Sequence, residues 1–222
     1  MKHCFESKRK DGEKMAKQIE GVYEAVLEYA KKEFLEKGYK DASLRTIAQE
    51  AGTSTGSIYT RFGDKEGLFQ AIVGSVANGF KKMFLEVQER FHAFDEEVQR
   101  AEMGQYTSLH QMKMLDYIYE HFDEFQLLLD SAEGTQFSRF VEELVDIEVD
   151  YTYKYMEVIG CESVKSGLVT EEFVHIVVTA YFNGMFEVVR HNMDKSSAVK
   201  YVRLLNRYHM QGFSTIFYAS EP

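Results

Sequence analysis

The only proline in this 222-residue chain is the last residue, Pro222. Every residue before it keeps its backbone N–H donor, so no helix is interrupted from within by a missing hydrogen bond. The apolar residues then choose between helix and strand. Val22, Val26, Ala30 and Phe34 recur at every fourth position, and no segment shows sustained alternation with period two. With abundant Glu, Lys, Leu and Met and only 15 Gly, the expected fold class is all-α.

A first helix is expected over about residues 17–37, ending before Gly38. Ser43 can cap a short second helix whose inner face is Leu44, Ile47, Ala48 and Ala51, stopped at Gly52. Ser54 can cap a third, in which Ile58 and Phe62 share a face. Asp64 can cap a long fourth helix, about 65–91, through Leu68, Ile72, Val76 and Phe80. Residues 92–106 are less periodic and read as a loop or short helix. Beyond them, helices are expected at about 107–121, 122–131, 136–159, 170–192 and 197–218, separated by Gly134, Gly160, Gly167 and the stretch from Asn192 to Ser197.

With 45% hydrophobic and 28% charged residues, the chain can bury a core. Cys4 and Cys161 are too few for a disulfide framework and lack metal-ligand spacing, which fits a reducing compartment. Residues 1–14 are charged throughout and do not form the apolar stretch of a signal peptide. The most apolar window, 173–189, contains His175, Asn183 and Glu187 and is too short and interrupted to span a bilayer. A cytoplasmic protein with no membrane partner is expected. The net charge of −10 is unevenly distributed: residues 1–65 hold 13 Lys+Arg against 11 Asp+Glu, and the remainder 13 against 25. A phosphate-tolerant first segment on an acidic body follows. The basic run Lys8-Arg9-Lys10 is a candidate arm toward phosphates or a minor groove.

Three motifs carry potential chemistry. Gly52-Thr53-Ser54-Thr55-Gly56 fits the G-x-S-x-G nucleophile elbow, but that elbow needs a preceding strand, and residues 44–51 have helical spacing. Glu89-His92 and Glu172-His175 have the Glu-x-x-His spacing of di-metal carboxylate bundles, which makes a helical-bundle oxidase the alternative function. Chance alone supplies about one such match among seven His and 36 acidic residues, and Glu172 in a first helical turn also suits the helix dipole. The third motif is the helix–tight turn–helix over 43–62. Its last helix exposes Thr55, Ser57, Tyr59, Thr60 and Arg61, hydroxyls and a guanidinium able to bond phosphates and base edges.

The run Ile47-Ala48-Gln49-Glu50-Ala51-Gly52-Thr53-Ser54-Thr55-Gly56-Ser57-Ile58-Tyr59-Thr60-Arg61-Phe62-Gly63-Asp64-Lys65-Glu66-Gly67-Leu68 closely resembles the signature of the tetracycline-repressor (TetR/AcrR-like) family. Phe34 to Tyr39 and Ser43-Leu44-Arg45 resemble that family's first helix and turn. Thr53 departs from the usual Val, and Arg61 stands where His or Tyr is common. The resemblance implies an N-terminal three-helix helix-turn-helix DNA-binding domain, residues 1–64, followed by a helical-bundle ligand-binding and dimerisation body, residues 65–222, with the fourth helix shared. It implies a homodimeric regulator, usually a repressor, on double-stranded palindromic operator DNA, with no catalysis, metal or cofactor.

Carried over by position, Ser43, Arg45, Ser54, Thr55, Gly56, Ser57, Tyr59, Thr60, Arg61 and Lys65 form the DNA-binding set. Tyr59 and Lys65 match backbone-gripping positions, while Thr55, Ser57 and Thr60 are the base-reading candidates. The effector is expected to be a small apolar or aromatic molecule in a pocket drawn from Met112, Leu115, Tyr119, Phe125, Tyr155 and Tyr181, apolar surfaces with occasional hydroxyls. Dimerisation is expected through the last two long helices, with Val177, Val178, Phe182, Phe186, Val202 and Leu205 at the interface, because the penultimate helix is apolar almost all round. Gly74 and Gly79 in the fourth helix mark either a bend point or a close approach to a neighbour. A further alternative is a ligand carrier or adaptor without DNA binding.

Overall fold

The computed structural model describes the backbone of residues 2–217 and the side chains of residues 21–217. Among the described residues there are ten helices and no strand. They are α1 (Lys2–Asp41), α2 (Leu44–Glu50), α3 (Thr55–Phe62), α4 (Lys65–His92), α5 (Glu96–Glu120), α6 (Phe122–Asp130), α7 (Phe140–Val158), α8 (Glu162–Lys165), α9 (Glu171–Arg190) and α10 (Lys195–Phe217). The Lys8-Arg9-Lys10 side chains lie outside the described residues.

The first four helices start and stop for local reasons. Gly38 at φ 72° breaks the helical backbone of α1, a conformation that costs glycine little. Ser43 Oγ accepts from the Thr46 amide, Ser54 Oγ from the Ser57 amide and Asp64 Oδ1 from the Gly67 amide, so α2, α3 and α4 each begin on a capping side chain. Gly67 answers a steric demand that the sequence does not announce: a Cβ there would overlap the Phe62 carbonyl.

The helices depart from expectation at several points, the first being α1, which runs over Lys2–Asp41 and not over about 17–37. Residues 92–106 are mostly helix, because Asp95 caps α5 by accepting from the Val98 amide at 3.0 Å, and Glu96 and Glu97 fill the first turn. The periodicity is thin there because most of this stretch is exposed, leaving few positions that must be apolar. The helix expected from residue 136 begins instead at Phe140. Thr135 ties the preceding turn by donating to the Ala132 carbonyl and accepting from the Phe137 amide. The short α8 was not expected, since four residues cannot display a period.

The body core is aromatic. Phe80 of α4 meets Phe125 edge-on at 5.1 Å and also contacts Phe140 and Phe186, joining α4, α6, α7 and α9. The N-terminal helices α1–α3, the head, share a core of Val26, Ala30, Phe34, Ile47, Ala48 and Ile58, closed by Leu68 and Phe69 of α4. Phe69 packs edge-on against Phe34 at 5.1 Å and also touches Phe137 of the body, so α4 takes part in both cores. A second link joins α1 to α6: Lys31 pairs with Glu124 at 2.5 Å, the Tyr39 amide donates to the Ser131 carbonyl, and Lys40 pairs with Glu133.

Candidate nucleic-acid interface and effector cavity

On α3, Ile58 is buried, and Phe62 stacks on Tyr23 of α1 at 5.5 Å. That anchoring turns Gly56, Ser57, Tyr59, Thr60 and Arg61 to the surface, with Tyr59 53% exposed. Thr55 is half-buried beside them. Arg61 lies over the Tyr23 ring at 5.3 Å, which orients its guanidinium along the helix end. A Cβ on Gly56 would meet only Ser54 Oγ, at ordinary contact distance, so nothing within the head requires a glycine there. A surface brought close to α3 would gain from its absence. Arg45 is exposed on α2, while the Ser43 amide donates to Glu33 Oε1 at 3.0 Å.

Two members of the expected set already have partners within the chain. Lys65 does not project freely: its Nζ donates to the Lys40 and Ala42 carbonyls, both at 2.9 Å, and lies over the Tyr39 ring. Burial draws its pKa down, against the opposing pull of Asp41 and Glu33. Lys65 therefore ties the end of α1 to the start of α4. Thr60 Oγ1 donates to the Gly56 carbonyl at 2.8 Å, leaving its methyl and its oxygen lone pairs for any contact outside the helix.

Glu33 is the head's buried carboxylate, 6% exposed. Burial alone would raise its pKa, but Lys37 at 2.7 Å and the Ser43 amide outweigh that and hold it below the ordinary value. The charge is satisfied from two sides, which locks the α1–α2 turn.

In the body, α4, α5, α7, α9 and α10 surround a cavity of about 120 Å³. Of the expected pocket residues, Tyr155 and Tyr181 line it. Met112, Leu115, Tyr119 and Phe125 do not: Phe125 belongs to the aromatic core around Phe80, Leu115 is buried, Met112 is only partly so, and the Tyr119 hydroxyl donates to the Met193 carbonyl. The walls include Phe84, Phe91, Phe182 and Met185, with polar groups from Gln88, His92, Gln111, Glu148 and His209. Sequence reasoning named His92 only as a candidate metal ligand and passed over the other four. The available signal was polar residues inside apolar stripes: Glu148 lies four residues after Leu144 and Gln111 four before Leu115, both leucines buried.

Gln111 Nε2 donates to the Tyr181 hydroxyl, while its Oε1 is buried with no partner. Gln88 Nε2 donates to Glu148 Oε2 at 2.5 Å. Burial pushes the Glu148 carboxyl up to about 7, only partly offset by that amide. Burial and the neighbouring Glu148 push the Tyr181 phenol far above its ordinary value. Burial also lowers His92, helped by Lys154, and His209.

The expected dimer residues divide by burial. Val178, Phe182, Phe186 and Val202 are buried within this one chain, so they cannot be an exposed interface. The apolar stripe of α9 is wide because it packs on several neighbours, α6, α7 and α10 among them. Val177 and Leu205 are half-buried. The open apolar surface on these two helices is Phe173 and Ile176 of α9 and Leu204 and Tyr208 of α10.

Glu172 and His175 are both exposed at the start of α9, and a hydrogen bond from the Glu172 backbone, joined by one from Thr170, holds Glu172 below the ordinary carboxylate value. Among the described residues, no three His, Cys, Asp or Glu come together to hold a metal ion. Nor is any described helix long and apolar enough to cross a membrane.

Residues 26–72 match the family described as bacterial regulatory proteins, tetR family. The chain is 26% identical over 149 residues to the HTH-type transcriptional repressor AcnR of Corynebacterium glutamicum, covering 60% of this chain and 75% of that one. It is 45% identical over 51 residues to the repressor BepR of Brucella suis, but this match covers only 23% of this chain and 24% of BepR. A TetR-like transcriptional regulator from Rhodococcus sp. RHA1 shares the fold, with a TM-score of 0.58 at 16% identity over 87% of this chain and 96% of that one. The segment that matches the tetR family runs from α1 into α4, and the chain as a whole shares the fold of that regulator.

Proposed function

We propose that this protein is a homodimeric repressor, released from a palindromic operator when a small molecule fills the body cavity. The observation that carries the DNA half of this reading is the capped, anchored α3, which turns hydroxyls, a phenol and a guanidinium outward in a segment matching the family. In this reading residues 1–64 are the head, residues 65–222 the body, and α3 enters a major groove. Tyr59 and Arg45 grip phosphates, Ser57 and Thr60 read bases, and Lys65 holds the frame instead of the backbone. Operator binding places the protein in the cytoplasm.

Two copies join through the faces bearing Phe173, Ile176, Leu204 and Tyr208, whose exposure in one chain favours covering by a second. Phe84, Gln88 and Phe91 of α4 line the cavity, while Leu68 and Phe69 of the same helix close the head. A molecule that spreads the cavity thus shifts α4 and, through the α1–α6 contacts, the head. Reversing a 99:1 population takes about 5.5 kcal/mol of differential affinity, which two bound molecules per dimer can share.

Selection from a random pool of duplexes tests the proposal directly. Enrichment of a palindrome with half-sites one helical turn apart, bound with a steep salt dependence, is expected. Failure to enrich any sequence overturns it. Ile176→Glu with Tyr208→Glu is expected to give monomers by sedimentation; an unchanged dimer moves the interface elsewhere.

A further inference from the structure

The cavity's polar groups constrain what it holds. Glu148 is its carboxylate, and no lysine or arginine is among its described lining residues. One oxygen of Glu148 takes the Gln88 amide, leaving the charge itself without a counter-ion. Gln111, 7% exposed, has one end of its amide on Tyr181 and leaves its Oε1 buried without a partner. Around these acceptors stand the faces and edges of Phe91, Tyr151, Tyr155 and Phe182. A half-buried carboxylate without a cation, an orphaned carbonyl oxygen and a wall of aromatic rings are complementary to one chemistry, an apolar body carrying a protonated nitrogen.

We infer that the body cavity is selective for a small aromatic amine bound as its cation, with the ammonium between Glu148 and Gln111 and the ring against the aromatic wall. This deepens the effector reading above and rests on it. A neutral guest of the same shape leaves the Glu148 charge unpaired, and a carboxylate guest sets two like charges together. The volume, about 120 Å³, suits a single ring; an engineered cavity of about 150 Å³ in another protein takes benzene.

Binding of the cation depends on Glu148 being ionised. The titratable groups around the cavity are His92 of α4, Tyr106 and His110 of α5, Tyr151 and Tyr155 of α7, Tyr181 of α9 and His209 of α10, with Lys154 outside the Tyr151 ring. Burial holds His92 and His209 below the ordinary histidine value and raises Tyr106 and Tyr181 above the ordinary phenol value. Among these groups Glu148, pushed up to about 7, is the one placed to pair with the cation.

The test is calorimetric titration of the full-length protein with three probes of one shape: benzylamine, benzyl alcohol and benzoate. At pH 8 benzylamine is expected to bind at least about tenfold more tightly than benzyl alcohol, with benzoate weakest. Between pH 8 and pH 6 the benzylamine affinity should fall about tenfold as Glu148 takes up its proton, while benzyl alcohol stays unchanged. Glu148→Gln, the same shape without charge, should remove both the preference and the pH dependence, with folding checked by circular dichroism. Benzyl alcohol or benzoate binding as tightly as benzylamine, or an unchanged benzylamine affinity in Glu148→Gln, overturns the amine assignment and leaves the effector cavity standing. Binding of none of the three at millimolar concentration overturns both.

Discussion

The head and the body each draw a glutamate inward, Glu33 buried and Glu148 half-buried, and they treat it in opposite ways. Glu33 sits between Lys37 and the Ser43 amide and is held ionised. Glu148 has one amide hydrogen bond and no cation, and its carboxyl is pushed up to about 7. A buried charge paired on two sides fixes a turn, whereas one left half-satisfied makes a site poised for a guest or a proton. In the proposed reading, the contrast separates a segment that holds one shape on DNA from one that accepts a guest.

The sharpest way to break this contrast is Glu33→Ala. It strands the Ser43 amide at the start of α2 and frees Lys37, so the head should lose about 3 kcal/mol in urea unfolding and operator binding should fail with it. A loss below about 1 kcal/mol would show that Glu33 is no lock. The pH dependence adds to this. Because Glu33 is lowered on folding, its contribution is present above the ordinary carboxylate value and disappears as the pH falls through its own, lower one.

Glu148→Gln should act in the other direction. Its folded value lies above its unfolded one, so the wild-type carboxyl costs stability progressively as the pH rises from about 4.5 to about 7, then no further. Removing the charge should stabilise the protein by about 2 kcal/mol at pH 7.5, a shift of a few degrees in melting temperature that fades below pH 5. Equal destabilisation at both pH values would show that Glu148 is already compensated.

A smaller effect is expected at the DNA face. Ser54→Ala removes the α3 cap and should cost about 1 kcal/mol of stability, weakening all operators alike. Thr60→Ala should instead change the preferred base by about 1–3 kcal/mol if its methyl or oxygen lone pairs face a base; uniform weakening would assign Thr60 to the backbone.

The smallest stability change belongs to Gly79→Ala. A Cβ there would collide with the Tyr117 hydroxyl, which donates to the Val76 carbonyl. Losing that bond, about 1 kcal/mol, roughly offsets the helix preference of alanine. Operator release by the effector should therefore survive in Gly79→Ala, as a close approach requires. Loss of release with unchanged stability would restore Gly79 as a bend point.

Sequence alone determined the all-helical class and the head. Its signals are local: Ser43, Ser54 and Asp64 each act within three residues, and Ile58 faces inward by simple periodicity. Tyr155 and Tyr181 were legible as cavity residues from their type and helix. Tertiary structure decided the rest. Lys65 turned out to hold carbonyls more than twenty residues away. Residues 92–106 hid a helix because exposure relaxes the apolar pattern. The wide stripe of α9 looked like a dimer face because periodicity counts apolar positions without saying which neighbour covers them. The cavity's polar groups come from different helices: Glu148 lies 60 residues from Gln88, and Gln111 lies 70 from Tyr181. Those pairs meet only when α4, α5, α7 and α9 pack, because burial and partnership belong to the assembled core and not to any single segment.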